Sequence, residues 1–198
     1  GNLSFVAYNF GGGGSSVSTA DFDGDGKRDL FTTSSILRNT STGPGNINFQ
    51  IFGGYGGYQG NVGDFNNDGK IDLVYNNGGT LYFYRNASTG PGNINFIFSH
   101  SVNVDFNCTG IQCVDVDGDG KTDVLTTQGQ GDRLVALRNT TTPGAATFSF
   151  GANQAFNSGG IYPYRCQIAD FDKDGKIDLV TVNFNSGANT VNTAVFRN

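Results

Sequence analysis

Apolar and polar residues alternate along this chain in short runs bounded by Gly, Asn and Asp. In "NINFQIF" (46–52) the apolar positions are Ile47, Phe49, Ile51 and Phe52, and in "TLYFYRN" (80–86) Leu81 and Phe83 alternate with Tyr82 and Tyr84. A period of two predicts half-buried strands. The stretch from 46 to 86 then reads as a strand, a glycine-rich loop "GGYGGYQG", a short strand "NVGDF", an aspartate-rich turn, a strand "IDLVYN" and the strand "TLYFYRN".

This order recurs. The aspartate string appears as "DFDGDGKRDL" from Asp21, "DFNNDGKIDL" from Asp64, "DVDGDGKTDV" from Asp115 and "DFDKDGKIDL" from Asp170. Each is followed by Arg-Asn, ending at Asn39, Asn86, Asn139 and Asn198. "GNINF" at 45–49 and 92–96 has a weaker copy, "ATFSF", at 146–150 and another, "GNLSF", at 1–5. The chain is therefore expected to form one domain (1–198) of four units, about 1–44, 45–91, 92–143 and 144–198. Four strands per unit at this period is the signature of a β-propeller blade; a linear solenoid of shorter strands is the competing arrangement. If the strand ending in "VGDF" is innermost, "NINF" completes the outer edge of the preceding blade. The last unit lacks such a strand, and the first residues offer one. The expectation is an all-β propeller of four four-stranded blades closed by the N-terminal strand, which hides both sheet edges. Half of an eight-bladed ring completed by a homodimer satisfies the same phase.

Composition agrees with strands and turns. The chain has 31 glycines, no Met, no Trp and no Glu, so all 17 acidic residues are Asp. A net charge of −5 argues against nucleic acid, and no apolar run approaches the ~20 residues that span a bilayer. The chain opens on Gly1 without a recognisable leader, as expected of a processed or excised segment. Cys113 and Cys166 fall at offsets that other units fill with Val, Thr or Ile, which favours buried thiols, with a Cys108–Cys113 bridge as the alternative.

In D-x-[D/N]-x-D-G-x-x-D, side-chain oxygens at positions 1, 3, 5 and 9 and the carbonyl at position 7 can converge on a cation, while the glycine at position 6 permits a sharp turn. Several hard oxygen ligands on a flexible loop select Ca²⁺. The expected ligands are Asp21, Asp23, Asp25, Lys27 and Asp29; Asp64, Asn66, Asp68, Lys70 and Asp72; Asp115, Asp117, Asp119, Lys121 and Asp123; and Asp170, Asp172, Asp174, Lys176 and Asp178, each Lys through its carbonyl. Asx-turns alone could explain one copy but not four in register. Four Ca²⁺ would take the formal charge from −5 to +3.

The repeats resemble the FG-GAP/VCBS family, the calcium-loop blades of integrin alpha-subunit propellers, some fungal lectins and many bacterial surface proteins. "FGGGG" (10–14) and "FGGYGG" (52–57) stand where that family has its Phe-Gly segment, whereas "FNCTG" (106–110) and "FNSGG" (156–160) keep only the Phe. The chain departs from the family's rings of seven or eight blades in holding four units. The resemblance implies a calcium-stabilised, non-enzymatic recognition module, secreted or at the cell surface.

Catalysis has little to work with: His100 is the single histidine, and no glycine-rich loop has the Lys and helix of a phosphate site. Sequons occur at Asn2, Asn39, Asn86, Asn107 and Asn139, and for the three in the repeated Arg-Asn motif (Asn39, Asn86 and Asn139) a turn role is sufficient explanation. Blade connections alternate between two faces, so the face opposite the aspartates carries Tyr55, Tyr58, Gln130, Asp132, Arg133, Tyr162, Tyr164 and Arg165, with Gln128, Asn183, Asn185 and Asn189 nearby. Tyrosines and fixed polar groups on glycine loops suit a glycan or a cell-surface protein. The alternative is a structural spacer, or an accessory propeller of a larger secreted enzyme or surface protein.

Overall fold

A computed structural model describes residues 3–185 and 190–198. It contains four antiparallel sheets in which sequence neighbours pair. The first is β1 (Val17–Ala20), β2 (Asp29–Thr32), β3 (Ser35–Asn39) and β4 (Phe49–Phe52); the second is β5 (Gln59–Gly63), β6 (Asp72–Asn77), β7 (Thr80–Asn86) and β8 (Phe96–Asn103). The third is β9 (Cys108–Val114), β10 (Asp123–Gln128), β11 (Arg133–Leu137) and β12 (Gln154–Asn157). The fourth holds three strands, β13 (Pro163–Ala169), β14 (Asp178–Asn185) and β15 (Thr190–Phe196).

The strands before each aspartate string are innermost, and β1, β5, β9 and β13 adjoin in series. Axial hydrogen bonds tie them together: Ser16 to Gly60, Asn61 Nδ2 to the Ile111 carbonyl, and Gln112 Nε2 to the Cys166 carbonyl. Glycine is needed on this axis, because a Cβ at Gly60 would lie 2.8 Å from the Phe31 ring. The outer strands β4 and β8 begin at Phe49 and Phe96, so "GNINF" does complete the preceding blade. In the third blade "ATFSF" supplies only the bridge Asn139↔Phe150, and the outer strand lies further on, at Gln154–Asn157.

The core lies between blades. Phe22, Phe31 and Leu73 fill the first seam, with Ile94 and Phe96 packed against them. Phe65, Phe83 and Phe148 fill the second. The third is smaller, built on Leu125, Leu134, Cys166 and Leu179. All three cysteines are free; Cys108 and Cys166 are buried in these clusters and Cys113 packs against one, so the Cys108–Cys113 bridge is not formed.

The expected closure by the N-terminal strand is not formed either. Residues 3–10 form no strand, and Leu3, Phe5 and Val6 are 91%, 92% and 74% exposed. This segment follows blade 1, where Tyr8 stacks on Phe10 and Phe10 meets the edge of Phe49 at 5.3 Å. That aromatic anchor leads straight into β1, with two blades intervening before β15. The outer edge of β15 is unpaired among the described residues.

Candidate metal centres and the opposite face

Each aspartate string forms the turn from a blade's inner strand to its second strand, and two left-handed residues bend it. Position 6 is always glycine, with φ of 83° at Gly26, 82° at Gly69, 82° at Gly120 and 88° at Gly175. Position 4 is also left-handed, whether Gly24, Asn67, Gly118 or Lys173. The bend wraps backbone N–H groups around the first aspartate. Asp21 accepts from Gly24 and Gly26 (both 2.8 Å) and Asp25 (3.1 Å), and Asp64, Asp115 and Asp170 each accept two of the corresponding N–H groups.

The position-9 carboxylate ties the turn to the blade. Asp29 accepts from the N–H of Phe22 (2.9 Å) and of Asn39 (2.7 Å). Asp72, Asp123 and Asp178 repeat the pair with Phe65 and Asn86, Val116 and Asn139, and Phe171 and Asn198. All four are buried. Burial, opposed by these hydrogen bonds and reinforced by neighbouring carboxylates, pushes Asp72 up to about 7 and raises Asp29 and Asp123.

Carboxylate oxygens at positions 1, 3 and 9 converge within 4.8 Å in three loops: Asp21, Asp23 and Asp29; Asp115, Asp117 and Asp123; Asp170, Asp172 and Asp178. In the remaining loop position 3 is Asn66, whose amide nitrogen bonds Asp68 and the Ala145 carbonyl while its oxygen is buried without a donor. An orphaned buried oxygen in the loop that also carries the buried Asp72 is an available ligand atom for a hard cation, so the donor set fits Ca²⁺. At position 5, Asp25, Asp68, Asp119 and Asp174 each accept the N–H of Lys27, Lys70, Lys121 or Lys176 two residues on, at 2.9–3.0 Å. The Lys70 ammonium reaches away to the Ser88 carbonyl.

Sequence reasoning missed the arginine of each Arg-Asn pair. Arg38 bonds Asp23 (2.5 Å) and Asp25 (2.8 Å), Arg138 bonds Asp117 and Asp119, and Arg197 bonds Asp172 and Asp174. Although burial raises Asp23, the bonds from Arg38 and from the Gly92 N–H hold it below the ordinary carboxylate range. Asn66 offers no carboxylate for such a contact, and Arg85 of its blade has a buried Nε with no partner among the described residues. The recurrence of one Arg-Asn pair after each aspartate string was the available signal.

The asparagine of the same pair links blades. Asn86 Nδ2 donates to the Ile71 carbonyl and to Phe22 of the preceding blade, and Asn139 donates to Thr122 and to Phe65. Asn86 and Asn139 are 1% and 0% exposed, so these sequons serve the fold; Asn2 lies outside the described residues.

On the opposite face the expected ligand residues divide into two groups. Tyr58, Tyr162 and Tyr164 are exposed, as are Gln130 and Arg165, and the Arg165 guanidinium lies 5.7 Å from the Tyr164 ring centroid. Arg165 also helps line a polar axial cavity of about 330 Å³ with Ser16, Asn61 and Gln112. The others are engaged internally. Tyr55 packs between blades against Phe31, Tyr75 and Tyr84, and burial pushes its hydroxyl up to about 12. Arg133 bonds Gln128 and Asp105 over the Phe106 ring, Asp132 accepts from the Tyr162 N–H, and Asn183 is buried on Ser158. Asn189 lies outside the described residues.

Models of an FG-GAP-like repeat match residues 64–126 and 115–181, and the FG-GAP repeat matches 13–46. Among solved structures, the chain is similar to a crystal structure of BBS1N in complex with ARL6DN, soaked with lead. The TM-score is 0.52 at 12% identity, covering 93% of this chain and 57% of that one. This likeness concerns the fold, and the chain spans just over half the length of that neighbour. No curated protein matches the chain in sequence.

Proposed function

Since the chain belongs to the FG-GAP repeat family, we propose that it is a calcium-stabilised recognition module, carried on a secreted or cell-surface protein, that binds a glycan or a surface protein. FG-GAP repeats are found in adhesion and extracellular proteins, and no helix among the described residues is long and apolar enough to cross a membrane. Calcium would be held by the position-1, -3 and -9 oxygens of each loop, Asn66 contributing its amide oxygen in the second. A bound cation would neutralise the buried carboxylates and lock the turn between inner and second strands.

The observation that carries the recognition reading is the exposure of Tyr58, Tyr162 and Tyr164 on loops opposite the aspartates. A tyrosine offers a rigid apolar face and a hydroxyl at low entropic cost. Sites of this kind gain strength through multivalency on a glycan-coated surface. The test is a glycan-array and cell-adhesion screen of the calcium-loaded protein beside Tyr58→Ala and Tyr164→Ala. Binding lost in these variants at unchanged melting temperature supports the reading; absence of any retained ligand refutes it. A spacer role is the second reading, favoured by the internal engagement of Tyr55, Asp132 and Arg133.

A further inference from the structure

The first two seams between blades are finished by the same device. The N–H after each Arg-Asn pair donates to the residue before a phenylalanine: Thr40 to Asn48, Ala87 to Asn95 and Thr140 to Ser149, each at 2.8 Å. The asparagine itself faces that phenylalanine across the sheet, as Asn39↔Phe49, Asn86↔Phe96 and Asn139↔Phe150. The apolar pair of the segment then drops into the seam one blade back. Phe96 packs edge-on against Phe22 at 5.4 Å with Ile94 beside it, and Phe148 and Phe150 pack against Phe65 at 5.7 and 6.1 Å.

The seam between blades 3 and 4 has half of this arrangement. Asn198 Nδ2 already donates to the Val116 carbonyl, as Asn86 does to Phe22 and Asn139 to Phe65. No described segment supplies the apolar pair. In its place lies an open groove of about 360 Å³ lined by Leu125, Leu134, Ala136, Phe156, Leu179 and Phe196, beside the unpaired edge of β15. At the other end of the chain, "GNLSF" matches "GNINF" position by position, and its Leu3 and Phe5 are 91% and 92% exposed.

We propose that this groove is the docking site for the N-terminal segment of a second copy of the chain. The shared register fixes the pairing: Asn198 opposite Phe5, Arg197 opposite Val6, Phe196 opposite Ala7 and Val195 opposite Tyr8, with Leu3 and Phe5 entering the seam. The contact is strand addition at an exposed edge with apolar anchors. A second copy fits better than the same chain, because Phe10 is anchored on Phe49 of blade 1, two blades away from β15. The arc also superposes on 57% of a longer propeller-like chain, so its curvature leaves room for more than four blades. Seating the segment sets the second copy's blade 1 beside blade 4, continuing the series. The reciprocal contact closes a two-fold ring of eight blades.

Two measurements test this. Light scattering of the full chain at micromolar concentration should give twice the 20.9 kDa chain mass. Leu3→Ser with Phe5→Ser should raise the dimer dissociation constant by at least about ten-thousandfold, because the two reciprocal contacts together lose four apolar anchors, while the circular dichroism of the chain is unchanged. Tyr8→Cys and Val195→Cys, prepared separately, mixed and oxidised, should form a disulfide-linked pair that neither variant forms alone. A single-chain mass, or no link in the mixture, overturns the proposal. A link formed only within one chain carrying both substitutions also overturns it, showing self-closure instead.

Discussion

Replacing Asn139 by alanine should be among the most damaging polar-to-alanine changes in this fold. Its side chain makes three buried or half-buried bonds: Nδ2 to the Phe65 carbonyl (2.9 Å), Nδ2 to the Thr122 carbonyl (2.9 Å), and Oδ1 from the Thr141 N–H (2.9 Å). The first crosses from blade 3 to blade 2, so its loss weakens a seam as well as a turn. Alanine leaves three backbone groups without partners in a site that is 0% exposed. At about 1 kcal/mol for each bond the loss is about 3 kcal/mol. For a domain of this length that lowers the melting temperature by about 6 to 12 °C. Asn39→Ala is the matched control. Asn39 bonds Arg28 and Ser41 within its own blade and is only half-buried, so about 1 kcal/mol and 2 to 4 °C are expected. Asn139→Asp keeps the acceptor for Thr141 but sets a carboxylate against two carbonyls, and should be no better than alanine. Calorimetry and urea melts in calcium measure all three, with an unchanged urea slope marking a pure stability effect. Equal losses for Asn139→Ala and Asn39→Ala, or a native-like Asn139→Asp, would refute the bridging role.

Chelation should lower the melting temperature by many degrees, since each site near 100-fold saturation adds ~2.7 kcal/mol; metal analysis finding no calcium in the purified protein, or a melt insensitive to chelator, contradicts the fit. In chelator, stability should fall between pH 5 and pH 8. Asp72, with its folded value raised to about 7 and Asp29 and Asp123 also raised, favours the folded state while protonated, and that contribution is lost as pH rises through the folded value. Saturating calcium should flatten or reverse the trend, and a chelated protein that gains stability over this window would be inconsistent with those carboxylates being buried. The thiols of Cys108, Cys113 and Cys166, all pushed up by burial, should resist a thiol reagent in the native state and react on unfolding; rapid native labelling would show that the seams are open.

Much of this architecture was legible because it repeats. A single "NINF" would be an ambiguous strand, but two copies at the same distance after an Arg-Asn pair fixed the phase, and β4 and β8 start where that phase puts them. The third copy shows the limit. "ATFSF" keeps the apolar pair but drifts from strand to bridge, because Phe148 and Phe150 are held by Phe65 rather than by an extended ladder. Tyr55 was misplaced for a related reason. Within "GGYGGYQG" nothing distinguishes a surface tyrosine from one turned inward, and only the partners Tyr75 and Tyr84, brought in by other strands, decide that Tyr55 packs and Tyr58 is exposed. Closure failed differently. Pattern specifies which strand fits an edge and in what register, but an intramolecular and an intermolecular partner carry the same pattern.

The arginines pair with the aspartate loops in a pattern that sequence alone disguises. Loops 1, 3 and 4 each carry four aspartates, and in each an arginine binds positions 3 and 5. The second loop carries three aspartates because position 3 is Asn66, and Arg85 makes no bond to it among the described residues. The substitution that looks like a weakened site is thus matched by the withdrawal of its counter-charge. Asx-turns would not need that balance, since a neutral Asn caps a backbone as well as an Asp does. A cation held by converging oxygens would, because its affinity follows the number of charges around it.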